Sequence, residues 1–322
     1  MNEFEAQAKR VAALLDRAGA GGDPKSTEQV LLPELISALD VMWTEKAAYL
    51  QLTEEALQAT RLLGDSASAA REVLRGYLVN QFFDRLLLTV SWNAGVELAK
   101  FLIDGSELEK LGSRGPRILC SMHLSRYLLM GAYLHAVSPF EIAFLKARQD
   151  VMEQEGGRDK LLSDGEREKL LSRAIYTTDR ASPLLISRVV RAGGFVSMPV
   201  DHVHTAGQVD TISFFGSAMH VNLGAAWIAQ RAGVPLVPIG LVPNGDRLAL
   251  RVLDDILPGD DPTRTMQEVY SAFEGLLRDC PSGWGRWFTA FADDRELELR
   301  PRLRQANQMI WDAVLRYQGN GA

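Results

Sequence analysis

The sequence predicts an α/β fold, a mostly parallel central sheet flanked by helices and preceded by an N-terminal helical region. Three observations predict it. From Pro116 onward, short apolar runs rich in β-branched residues alternate with stretches of helical periodicity. Gly193-Gly194 and Gly233 stand just before apolar runs, where a helix end favours a residue that tolerates a left-handed backbone. Before about Gly112 the chain is helix-rich, with apolar residues at three- and four-residue spacing.

The elements follow in order. "MNEFEAQAKRVAALLDRAG" reads as an amphipathic helix. "STEQVLLPELISALDVMWTEKAAYLQLTEEALQATRLL" opens on a Ser-Thr-Glu start that caps a helix, and "AAREVLRGYLVNQFFDRLLLTVSWNAGVELAKFL" continues the pattern. Residues 1–70 are expected to form a helical cap on an α/β domain spanning 71–322, the two making one unit. The strands are expected in "RILCSM", "FEIAFL", "FVSMPV", "DTISFF", "PLVPIGLV" and "RLALRVL". Helices are expected between them in "SRYLLMGAYLHAV", "DGEREKLLSRAIY", "ASPLLISRVVRAGG" and "GAAWIAQRAGV". "VMEQEGGRDKLLSDGERE" reads as an exposed connection. The tail from Asp261 reads as one or two helices, broken at "CPSGWGRW".

Composition narrows the function. The chain has 322 residues, of which 47% are hydrophobic and 24% charged, as in an ordinary globular protein with a real core. The net charge of −6 argues against nucleic acid as a partner, because neutralising phosphates requires a basic surface. The two cysteines, Cys120 and Cys280, form no CxxC pair and are expected to be reduced and buried. The N-terminus lacks the apolar core of a signal peptide, and no window reaches ~18 uninterrupted apolar residues. The expected location is the cytoplasm.

In an open α/β sheet, ligands bind beyond the carboxyl ends of the strands. Polar residues follow three of the expected strands: His123 after "ILCSM", Lys146 and Arg148 after "FEIAFL", and Asp201, His202 and His204 after "FVSMP". His202 and His204 sit two apart, so in a strand they point the same way, and with Asp201 or Asp210 they suggest a zinc site. With only five histidines in the chain, that spacing arises easily by chance, and no metal is expected. Ser125 lacks the Gly-x-Ser-x-Gly setting of a nucleophile, and His135 reads as one face of a helix.

"RILCSMHLSRYLLMGAYL", "ASPLLISRVVRAGGFVSMPVDHV" and "VDTISFFGSAMHVNLGAAWIAQRAGVPLVPIGLV" arrive in an order and spacing that resembles the lysophospholipid acyltransferase superfamily. The branch most similar is that of the lipid A biosynthesis lauroyl and myristoyl transferases, and "CPSGWGRWF" resembles that branch's later Pro-Glu-Gln-Trp-type segment. The resemblance covers roughly 71–291 and implies a glycerolipid acyltransferase-like fold. It also implies transfer of an acyl group from a thioester, on coenzyme A or acyl carrier protein, to a hydroxyl or amine. A histidine is the general base and a carboxylate orients it. No cofactor is implied.

The sequence departs from that branch at one place. The usual pattern is His-x4-Asp or His-x4-Glu, but five residues after His123 stands Leu128. Leu128 is expected to pack into the sheet. Asp201, in a turn that resembles the place where relatives carry an acid near the site, is expected within hydrogen-bond reach of His123 or one water away. The resemblance further assigns Ser125, Arg126, Lys146, Arg148, His202, His204, Phe214, Phe215 and Gly216 to substrate contacts. For Phe214–Gly216, core packing with a turn glycine is the plainer reading.

The expectation is therefore an acyltransferase with His123 and Asp201 as catalytic pair. Its partners would be an acyl thioester donor and a small-molecule, carrier-bound or lipid acceptor, with peripheral membrane contact through the helical N-terminus as one route to a lipid. Two other readings stand beside it. One is a non-catalytic acyl-, lipid- or carrier-binding protein, which the leucine at 128 would suit. The other is a metal-dependent hydrolase built on Asp201–His204.

Overall fold

The structure is a computed structural model, and it describes residues 92–112, 115–146, 174–176, 182–201, 208–245 and 247–284, with isolated positions elsewhere. The expected cap, residues 1–70, falls almost wholly outside the described residues, as do "VMEQEGGRDKLLSDGERE" and the tail after Trp284 apart from Arg316.

Among the described residues the nine strands are β1 (Ile103–Asp104), β2 (Ile118–Ser121), β3 (Ile142–Lys146), β4 (Ala174–Tyr176), β5 (Phe195–Pro199), β6 (Val209–Phe214), β7 (Ser217–Asn222), β8 (Leu236–Asn244) and β9 (Arg247–Val252). The longer helices are α1 (Trp92–Leu102), α2 (Tyr127–Val137), α3 (Ser182–Arg191), α4 (Gly224–Ala232) and α5 (Pro262–Asp279). Seven strands form one sheet in the order β1-β9-β8-β2-β5-β3-β4. Every neighbouring pair is parallel except β8 with β9.

The sequence explains the layers. All four residues of β2 are buried, as a central parallel strand covered on both faces requires. Alternate residues of the sheet point to opposite faces and so belong to different cores. Leu119, Phe195, Ile239 and Leu241 pack with Leu98 and Leu102 of α1 and Leu129, Met130 and Leu134 of α2. Ile118, Cys120, Val196 and Met198 pack on the other face with Ile186 and Val190 of α3, Ala226 and Ala229 of α4, and Met266, Val269 and Phe273 of α5. Both helix ends marked by glycine are in place. Gly233 caps α4 at φ 66°, where its N–H meets the carbonyls of Ala229 and Gln230, and Gly193 follows α3 at φ 90°. Helix α5 starts as the Asp261 side chain accepts from the N–H groups of Thr263 and Arg264, with Pro262 in the first turn.

Three expectations need correction. "DTISFF" does not join the main sheet. It pairs with "SAMHVN" as the separate antiparallel hairpin β6–β7, turned by Phe215 and Gly216 at φ 50° and 75°. The hairpin sits on α5 instead, where Gln267 behaves like a neighbouring strand: it accepts from Ser213 N–H at 2.8 Å and donates to Ser213 C=O at 2.7 Å. "AIY" at the end of an expected helix is strand β4, paired with β3 at the sheet edge. The sheet also begins earlier than Pro116, because Ile103–Asp104 pairs with β9.

Among the described residues no helix is long and apolar enough to cross a membrane. Both cysteines are free and buried.

Candidate active site

The site is set by the register of two neighbouring strands. β2 and β5 run parallel, with Ile118 opposite Val196 and Ser121 opposite Pro199. The pairing continues past the strand ends, as Val200 N–H donates to Ser121 C=O at 2.8 Å. Two residues beyond each strand end, the same register sets His123 opposite Asp201. Adjacent strands lie only about 4.8 Å apart, so two side chains leaving their carboxyl ends can meet.

They do meet. His123 Nδ1 lies 2.7 Å from Asp201 Oδ1, and the His123 backbone N–H donates to Asp201 Oδ2 at 2.9 Å. A carboxylate only accepts, so the bond puts the proton of neutral His123 on Nδ1 and leaves the lone pair on Nε2. The burial is lopsided: the Asp201 side chain is 1% exposed and the His123 side chain 31%. The acid is thus sealed in while the imidazole reaches the surface. The ring is also braced by Tyr127 at the start of α2, with centroids 4.6 Å apart.

A buried carboxylate needs several donors. A third comes from a distant part of the chain, where Trp284 Nε1–H donates to Asp201 Oδ2 at 2.9 Å. Trp284 is wholly buried. Its ring meets that of Phe214 edge-on at 5.5 Å, and Phe214 meets Tyr270 at 5.3 Å. Tyr270 in turn donates its hydroxyl to Val200 C=O at 2.7 Å, fixing the residue just before Asp201.

The loop after His123 is tied to the same tail segment. Leu124 forms an antiparallel bridge with Trp284, and Ser125 N–H donates to Gly283 C=O at 2.7 Å. Ser125 and Arg126 adopt φ of 23° and 25°, sparsely populated for side-chain-bearing residues. Arg126 N–H is held by Asn80 Oδ1 at 3.3 Å. These partners hold the backbone in an unfavourable turn, which swings the chain from β2 into α2 within a few residues of His123.

The other expected residues divide. Ser125 and Arg126 are 4% and 7% exposed and lie in the enclosed turn. The Ser125 hydroxyl faces the tail side, since a β-carbon on Gly283 would come within 2.8 Å of it. Lys146 ends β3 at the same carboxyl edge, and its side chain lies outside the described residues, as do Arg148, His202 and His204. Phe214 is core packing behind Trp284, while Phe215 and Gly216 form the hairpin turn. Arg278 lies over the Phe215 ring at 5.4 Å.

Leu128 needs a correction. It is half-buried and belongs to neither core cluster, while Leu129 and Met130 take the sheet-facing positions of α2. Asp210, the alternative zinc ligand, is exposed and accepts from the Thr263 hydroxyl. Among the described residues no group of three or more His, Cys, Asp and Glu side chains could hold a metal ion.

Sequence reasoning missed Trp284, Asn80 and Tyr270 as partners of the pair and its loop. The segment "CPSGWGRW" stood out by its composition, but nothing in its local pattern says that its indole points at an acid 83 positions away. No known protein family matches the chain when their profiles are compared with it, and no curated protein matches it.

Proposed function

We propose that the chain is an acyltransferase of glycerolipid acyltransferase-like fold. It moves an acyl group from a coenzyme A or acyl-carrier-protein thioester to a hydroxyl or amine. The observation that carries this reading is the His123–Asp201 pair: imidazole partly exposed, carboxylate buried, at the carboxyl edge of a mostly parallel sheet. An alcohol is a weak nucleophile at neutral pH, and a positioned imidazole removes its proton as it attacks.

In the proposed reaction the acceptor O–H or N–H gives its proton to His123 Nε2 as its heteroatom bonds the thioester carbon. Asp201 balances the imidazolium charge. The C–S bond then breaks and the departing thiolate takes the proton back from Nε2. The products are an ester or amide and a free thiol, and the enzyme is unchanged. The departure at 128 is compatible with this chemistry because the acid comes from the end of β5, not from α2.

The test is thiol release from a panel of acyl-coenzyme A and acyl-carrier-protein thioesters, with and without candidate alcohols and amines. His123→Gln, which keeps the bulk and loses the base, is expected to lower turnover by at least ~10²-fold. Wild-type rates in His123→Gln would defeat the mechanism. Stoichiometric thioester binding with no turnover by the wild type would replace it with a binding role.

A further inference from the structure

We infer that Trp284 is a positioning residue for the pair, a third member acting through Asp201. The inference rests on the acyltransferase reading for its kinetic consequence, but its structural content stands on the His123–Asp201 geometry alone.

Asp201 has two oxygens with different tasks. Oδ1 faces His123 Nδ1 at 2.7 Å. Oδ2 accepts from the His123 backbone N–H and from the Trp284 indole N–H, each at 2.9 Å. A carboxylate is free to rotate about its last bond, and with a single donor it would sample orientations that lose the imidazole. The backbone N–H and the indole fix Oδ2 from two directions, so Oδ1 has one place to go.

The indole is itself immobile. It is wholly buried, crossed edge-on by Phe214, and its backbone bridges Leu124, the residue after His123. Gly283 just before it accepts from Ser125 N–H and has no room for a β-carbon, which would lie 2.8 Å from Ser125 Oγ and 3.0 Å from Cys280 Sγ. The short turn Pro281–Gly283 therefore carries the indole and the loop contact together. Simple core filling accounts for a large apolar ring at this place. It does not account for a ring whose one polar atom meets an acid that touches the histidine.

The decisive variant is Trp284→Phe, which keeps an aromatic ring against Phe214 and removes only the indole edge with its N–H. Two readouts separate positioning from packing. In steady-state kinetics the variant is expected to lose about 10-fold or more in kcat, the scale of one hydrogen bond to a charged group, with KM for the thioester nearly unchanged. By NMR with ¹⁵N-labelled histidine, assigned against His123→Gln, wild-type His123 is expected as the Nδ1–H tautomer. Trp284→Phe is expected to show a mixture. The NMR result needs no turnover, so it decides the inference even if the acyltransferase reading fails.

A Trp284→Phe protein with wild-type kcat, or one with an unchanged tautomer and only a lower melting temperature, would overturn the positioning role. Should Trp284→Phe fail to fold, hydrogen exchange of the indole N–H in the wild type decides instead. Slow exchange that becomes fast in Asp201→Ala, which removes both oxygens, supports the bond, and exchange alike in both overturns it.

Discussion

At Asp201 a single proton decides whether His123 can act as a base. Asp201→Asn keeps the volume but replaces an acceptor-only group by one that can also donate. The amide can turn its NH₂ toward Nδ1, which moves the imidazole proton to Nε2 and removes the lone pair that faces solvent. We therefore expect Asp201→Asn to lower kcat by about 10²-fold or more while donor affinity stays close to wild type. Equilibrium binding of a non-hydrolysable thioester analogue, measured beside kcat, checks both halves. At this scale much of the site was legible. A histidine and an aspartate each just past an expected strand could be read from "ILCSMH" and "FVSMPVD". The indole could not, because its contact spans 83 positions and depends on how the tail turns. Nor could the half-burial of Leu128: the apolar run Leu128–Met130 does not say which of its members faces the sheet.

At the scale of elements, periodicity located the long helices and the central strands, and it failed where partners override it. β4 is three residues long and exists because β3 offers it an edge, so nothing in "SRAIY" separates it from a helix end. The hairpin β6–β7 was hidden for a related reason. A two-residue turn of the mirror-image type favours Asn-Gly, and this one is Phe-Gly. Phe215 tolerates φ 50° because its N–H is held by Glu274 Oε1 at 2.7 Å and its ring by Arg278. Gly216 at φ 75° bears the stricter demand. Nothing lies within 4 Å of where its β-carbon would be, so the cost of Gly216→Ala is conformational and not steric. We expect a loss of about 1 kcal/mol, seen as a lower urea midpoint with an unchanged m-value, and no loss of kcat per folded molecule.

Across the whole molecule, the two thiols report on the integrity of both ends of the site. Cys120 is wholly buried within β2, the strand that leads to His123, and burial pushes its thiol far above the ordinary range. Cys280 begins the turn that carries Trp284, and burial raises its thiol as well. Thiolate, not thiol, is the reactive form, so a raised group reacts only as pH climbs beyond its ordinary range. At pH 8 we expect the native protein to react slowly with a thiol reagent at both positions and to release two equivalents on denaturation. Rapid native labelling of Cys280 would mean that the turn opens readily, and with it the indole contact.

The in-step pairing of β2 with β5 has a consequence for how this gene can change. Side chains alternate with a period of two, so one residue gained or lost between Ser121 and His123 would turn the imidazole to the opposite face of its strand. The same event between Pro199 and Asp201 would do the same to the acid. Point substitutions at position 128 leave the register of β2 with β5 as it is, whereas a single-codon insertion on one side alone severs the pair. Only matched changes, one residue gained or one lost in both segments, would leave the residues facing one another, and then on the other side of the sheet.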